Sequence, residues 1–127
     1  MSIEVQLPRL AETALRYTFA YLVTVGPGNR AHVAAVTPVV HGGLVLVAEP
    51  GRTSTRNVAA DSPVVLVWPP AEPSGHSLIV DGVGEHRADG LVIRPTRAVL
   101  HRPAPRPATR VDGCDSDCIE VAFTEGG

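Results

Sequence analysis

Apolar positions along the chain change period once, early. Between residues 7 and 17 they recur at helical spacing: Leu10, Ala14 and Tyr17 share a face. Glu12 and Arg16 form a favourable i,i+4 pair, and Pro8 suits a first helical turn, so this stretch predicts a helix. From Tyr21 onward the pattern becomes short valine-rich runs. Residues 21–25 read as a strand that ends at the turn signal Gly26-Pro27-Gly28-Asn29. Residues 30–40 form the next strand, with Pro38 implying a bulge or an edge near its end because proline donates no ladder hydrogen bond. Gly42-Gly43 then turns the chain into residues 44–48, a hairpin. Residues 64–68 are a buried-type strand, and the proline-rich stretch 69–75 is a loop. Residues 77–81 and 91–100 predict a long hairpin with Asp89-Gly90 at its turn, and residues 118–123 a last strand.

The segment 49–61 breaks this pattern. Gly51-Arg52-Thr53-Ser54-Thr55-Arg56-Asn57 is a polar, basic loop, and Val58-Ala59-Ala60 closes one short helix after it. No internal repeat or domain boundary is visible, so residues 1–127 are one domain, in which 102–117 form a proline-rich connection to the last strand. Successive strands joined by short turns pair antiparallel. A sheet of about six strands with so few helices to cover it closes on itself, since open edges invite aggregation. A small β-barrel is the economical answer.

Composition narrows the chemistry. All eleven basic side chains are arginine, so a lysine Schiff base and the P-loop lysine are excluded. Thirteen acids leave a formal net charge of -2, without the basic excess that nucleic-acid or membrane-surface binding favours. The longest apolar runs fall far short of the ~20 residues that span a bilayer. No basic region followed by an apolar run opens the chain, and the expected location is cytoplasmic.

The strongest candidate for chemistry is the polar segment after residue 51. Backbone N–H groups at a helix start attract anions. Arg52 and Arg56 add forked donors, and Thr53, Ser54 and Thr55 add hydroxyls suited to a phosphate. A solvated loop with Ser54 or Thr55 capping the helix is the plainer alternative.

The succession of the helix, Ala20-Tyr21-Leu22-Val23-Thr24-Val25, His32-Val33-Ala34-Ala35-Val36, Gly43-Leu44-Val45-Leu46-Val47 and Arg52-Thr53-Ser54-Thr55-Arg56-Asn57-Val58 resembles the pyridoxamine 5'-phosphate oxidase-like, FMN-binding split-barrel superfamily. His76-Ser77-Leu78-Ile79-Val80-Asp81-Gly82 resembles a segment of its small actinobacterial members. The resemblance implies a mostly β fold: a six-stranded antiparallel split β-barrel with an N-terminal helix and one short helix, assembled as a homodimer. It implies that Arg52, Thr53, Ser54 and Arg56, with Asn57, hold the phosphate of FMN. It implies that His32, Val33 and Ala34 line the flavin ring or ribityl chain. Trp68 and His76 are then candidates for the wall around a small-molecule substrate.

The sequence departs from the oxidase pattern in two places. His32 and Thr37 stand where true pyridoxamine-phosphate oxidases place an arginine and a lysine, and no C-terminal Trp-Arg segment follows. The resemblance therefore implies a flavin-dependent oxidoreductase other than a pyridoxamine-phosphate oxidase. FAD, a deazaflavin and haem are alternative cofactors, and a cofactor-free dimer serving as a binding or structural module is the rival from another class. Haem would call on His32 or His101 as axial ligand. Cys114 and Cys118 supply only half a zinc site, so no metal is expected. His41 and His86 read as surface residues, and no nucleophile elbow surrounds Ser54 or Ser77.

Overall fold

In the computed structural model, which describes residues 2–104, the valine-rich runs form strands around a barrel. The elements are β1 (Ser2–Val5), α1 (Leu10–Ala14), β2 (Ala20–Gly26), β3 (Arg30–Val36), β4 (Val39–His41) and β5 (Leu44–Val47). Then follow α2 (Arg52–Ala60), β6 (Pro63–Trp68), β7 (Ser77–Arg87) and β8 (Gly90–His101). All paired strands are antiparallel, in the order β3-β2-β6-β7-β8-β5-β4, with β1 added on β8. The two ends of that order, β3 and β4, are successive pieces of one chain segment interrupted at Thr37-Pro38. Counting them as a single stave gives a closed ring of six, the split barrel expected from the sequence.

Alternation decides which side chains fill it. Ala20, Leu22 and Thr24 of β2 point inward and are fully buried, as are Leu66 of β6, Leu78 of β7 and Ile93 of β8. Trp68, Val45, Val47, Val80 and Leu91 complete one continuous core. Two long strands must bend to close so small a barrel, and β8 does so with a bulge. Asp81 pairs with Arg97 and Gly82 with Pro95, which leaves Thr96 as the extra residue. Pro95 sits at that irregularity, where its missing N–H costs no ladder bond, and the Thr96 hydroxyl donates to the Asp81 carbonyl at 3.2 Å. Opposite it, a Cβ on Gly82 would stand 2.7 Å from the Ile93 side chain and 2.8 Å from the Arg94 carbonyl, so only glycine fits.

Several expectations are corrected. The helix expected over 7–17 is a 3-10 turn at Leu7–Arg9 followed by a single α-helical stretch ending at Ala14. Its last turn tightens, with Arg16 and Tyr17 amides bonding the Thr13 and Ala14 carbonyls. The strand expected over 30–40 is broken in two. The hairpin arms expected at 77–81 and 91–100 are longer, Ser77–Arg87 and Gly90–His101. Residues 2–5, given no element from the sequence, form β1, because β8 has an unpaired edge beyond β5 that they cover. The last strand expected at 118–123 lies outside the described residues.

Candidate functional site

β5 delivers the chain to Gly51, whose φ of 88° lies in the region glycine tolerates at no steric cost. α2 begins at the next residue. The segment Arg52–Asn57 is therefore not a loop before a helix but the first two turns of the helix itself. Its burial pattern explains the difference: Ser54, Asn57 and Val58, at helical spacing, are buried on one face. Thr55 reinforces the start, its amide and hydroxyl both donating to the Gly51 carbonyl at 3.1 and 2.8 Å.

This helical geometry sorts the candidate residues. Arg52 and Arg56 are exposed and, four apart, lie on the same side of α2. Thr53 is half-buried. Ser54 is fully buried, and its Oγ has no hydrogen-bond partner among the described residues. Asn57 turns inward instead of toward solvent: its Nδ2 donates to the buried Thr24 Oγ1 at 3.0 Å and ties α2 to β2. A Cβ on Gly26 would stand 2.8 Å from Asn57 Oδ1, so the end of β2 must be glycine for this clamp to close. No acid occupies the first turn of α2, leaving its dipole and amides uncompensated by carboxylate.

β3 splits its three candidates. His32 pairs with Thr24 and Ala34 with Leu22, so both half-buried side chains share the face on which Thr24 meets α2. Val33 points the other way, 57% exposed. Strand alternation puts the Val33 side chain on the face opposite those of His32 and Ala34.

The break between β3 and β4 opens three grooves that share Thr37. One, of about 280 Å³, runs from Ala35 to Thr37 against Ala48 and Glu49, just before α2. A second, of about 460 Å³, passes Thr37 and Ala48 along β5 and the β7–β8 turn. The third, of about 250 Å³, lies under α1 beside Tyr17 and Trp68. Thr37, Ala48 and Glu49 line these grooves, although the sequence nominated none of them as binding residues. Pro38 was the available signal, since a proline in a strand marks the interruption that opens the grooves.

The proposed substrate-wall residues sit elsewhere. Trp68 is 2% exposed and belongs to the core, with only an edge on the groove under α1. His76 offers its backbone carbonyl to the Tyr17 hydroxyl at 2.9 Å. Both lie toward the α1 end of the barrel. α2 covers the other end, where Gly84 of β7 faces Val58 and Val64. The length of β6 separates them, about 17 Å at the usual strand rise.

Burial pushes the Tyr17 hydroxyl above the usual tyrosine value, partly offset by the nearby Arg16 charge. His101, a candidate haem ligand, has its Nδ1 3.0 Å from the Ser2 hydroxyl. No group of three or more His, Cys, Asp or Glu among the described residues is arranged to hold a metal, and Cys114 and Cys118 lie outside them. No helix among the described residues is long and apolar enough to cross a membrane.

Compared with known proteins, the chain matches no family model. It is 40% identical over 133 aligned positions to uncharacterised proteins of Mycobacterium bovis and Mycobacterium tuberculosis, covering 91% of this chain and 94% of each relative. Its fold is similar to that of an F420 reductase (TM-score 0.58, 22% identity, 68% of this chain and 94% of the other). It is also similar to an FAD-binding protein of Mycobacterium smegmatis (0.56, 20%, covering 80% and 100%). A pyridoxamine 5'-phosphate oxidase candidate of Listeria innocua shares the same architecture (0.55, 14%, covering 72% and 92%).

Proposed function

We propose that this chain is a member of the pyridoxamine 5'-phosphate oxidase-like split-barrel superfamily, whose fold it shares, and that it is a homodimeric, flavin-binding oxidoreductase acting on a small molecule, with the phosphate of FMN at the start of α2. One observation carries this reading: a helix start free of acids that presents two exposed arginines on its outer side and, on its buried side, a Ser54 hydroxyl without a partner among the described residues. A buried polar atom left unsatisfied costs about 1–3 kcal/mol, and a phosphate oxygen at the helix start would relieve it. The donor set suits a phosphate. Arg52 and Arg56 neutralise it, Thr53 and the first-turn amides donate to it, and Asn57 positions the helix through Thr24 without contacting it.

The flavin supplies the redox chemistry when bound, and the protein binds and orients it. His32 and Ala34 stand on the α2 side of β3, where they flank the ribityl chain or ring. Thr37 and Ala48 line the groove at the break between β3 and β4, in keeping with a cofactor laid along that break. Thr37 adds no charge there, so Arg52 and Arg56 do most of the holding.

The homodimer is supported by the outer face of the sheet. Tyr21 and Val33 are 39% and 57% exposed, and Val23, Val65 and Val67 share their side through cross-strand pairing. An apolar face of this kind marks an interaction surface. Placed against a second copy, it brings the partner's residues toward β3, the route by which Val33 or His76 would reach a shared site.

A deazaflavin in place of FMN is the second reading, favoured by the likeness to the F420 reductase. Titration of the purified protein with FMN, FAD, F420 and haem, followed by absorbance or fluorescence quenching, separates these readings from a cofactor-free module. Saturable flavin or deazaflavin binding is expected, and no binding of any of them sinks the redox reading. The double change Arg52→Ala, Arg56→Ala is expected to weaken the bound cofactor at least tenfold, about 1.4 kcal/mol. Unchanged affinity would move the phosphate elsewhere.

A further inference from the structure

The groove of about 460 Å³ beyond Thr37 has a chemistry of its own, and its size is that of a small-molecule pocket. One wall is a row across three strands: Val39 pairs with Leu46, and Leu46 with Val92. Val39 is 58% and Leu46 37% exposed, although such side chains gain most from being covered. The opposing wall is the β7–β8 turn. It closes down on β5 because Gly90, at a φ of 127°, has no side chain; a Cβ there would collide with the Val47 carbonyl oxygen.

The turn carries Arg87 and Asp89 to the rim, and Arg87 is already bonded to Glu85 at 3.2 Å. Paired with Glu85, the Arg87 guanidinium is no free counter-ion for an anion, and the Asp89 carboxylate stays in solvent at the exposed rim, off the aliphatic walls where an ammonium would have to lie. A charged ligand would also lose hydration against aliphatic walls without a dedicated counter-ion. Thr37, which bears a hydroxyl, lines this groove and also the narrower one beside Ala48 and Glu49.

We infer that this groove is a binding subsite for a small, uncharged aliphatic molecule with one carbonyl or hydroxyl end. Its body lies on Val39, Leu46 and Val92, and its polar end points to Thr37. The subsite deepens the flavin reading and rests on it in one respect: the polar end is then the part presented to the cofactor groove.

The test uses the full chain and 2-octanone as probe, with octanoate and octylamine as charged counterparts, followed by amide NMR shifts. Saturable shifts at Val39, Leu46 and Val92 are expected for 2-octanone, with at least fivefold weaker binding of both charged molecules. Leu46→Trp, which fills the groove from an exposed position, is expected to abolish 2-octanone binding while FMN affinity stays within twofold of the wild type. Val39→Asp, at the more exposed end of the row, is expected to weaken 2-octanone at least fivefold, and covers the case in which the tryptophan variant fails to fold. The inference is overturned if 2-octanone gives no saturable shifts, if the charged molecules bind equally well, or if a folded variant binds it unchanged. FMN binding without 2-octanone binding removes the subsite alone. The converse result retains the subsite and removes the flavin reading.

Discussion

The two ends of the barrel are built from similar polar residues but treat them differently. At the α1 end the Tyr17 and Thr13 hydroxyls both have partners. Tyr17 donates to the His76 carbonyl at 2.9 Å, and Thr13 to the Arg9 carbonyl at 3.0 Å. At the α2 end Thr24 and Asn57 satisfy each other, but Ser54, equally buried, is left over. The same helix start carries two exposed arginines on its outer side, whereas the α1 end packs Trp68 into the core. Polar groups that are paired internally hold a fold together. A buried polar group without a protein partner marks a place prepared for something else. By that measure the α1 end has the character of scaffold and the α2 end that of the candidate site, with Trp68 in the core and the His76 carbonyl bonded to Tyr17.

The sharpest way to break this contrast is at Asn57. Asn57→Ala leaves the fully buried Thr24 hydroxyl without its partner and frees α2 from β2. The expected loss is about 1–3 kcal/mol, which for a domain of this size lowers Tm by roughly 3–6 °C per kcal/mol in a thermal melt. An unchanged Tm would mean that the clamp is replaced by water and is not structural.

Tyr17→Phe probes the opposite end. Removing one satisfied hydrogen bond is expected to cost about 0.5–1.5 kcal/mol, with cofactor affinity untouched. The same variant carries a pH signature. Burial raises the Tyr17 hydroxyl above its unfolded value, so its contribution to stability is complete below that unfolded value and is lost as pH rises through the folded one. The Tm gap between wild type and Tyr17→Phe should therefore shrink only in strongly alkaline solution, beyond about pH 10. A gap that closes near neutrality would contradict the burial described here.

Ser54→Ala has the smallest expected effect on stability and the most informative sign. Deleting a hydroxyl that has no partner should leave Tm unchanged or raise it, while cofactor affinity falls severalfold in the same titration used for the arginine variants. Were Ser54→Ala to destabilise the protein as much as Asn57→Ala, Ser54 would be satisfied in solution. The distinction between the two ends would then collapse.

Much of the architecture was legible before any coordinates. The hairpin turns at Gly42-Gly43 and Asp89-Gly90 and the valine-rich strands follow from local chemistry, while Pro38 signalled a bulge or edge where the structure breaks the strand in two. The polar stretch Arg52–Asn57 was also conspicuous as the candidate site. Its conformation was not. Read locally, Thr-Ser-Thr is a poor helix former and suits a loop. The helix forms because Ser54, Asn57 and Val58 find a buried face against β2 and β7, a contact between segments about thirty residues apart. β1 escaped notice for a similar reason: its partner is the far end of β8, almost a hundred residues away.

The sequence by itself therefore determined a mostly β domain, its turns, and a basic, hydroxyl-rich segment suited to a phosphate. Those properties depend on neighbours within a few residues. Only the tertiary structure decided how that segment is divided, with Arg52 and Arg56 outward, Asn57 locked to Thr24 and Ser54 buried without a partner. It also decided that His32 and Ala34 part company with Val33, and that Thr37 stands where three grooves meet. The physical reason is the same in each case. Burial and hydrogen-bond satisfaction are set by which distant strand lies opposite, and a barrel settles that only when it closes.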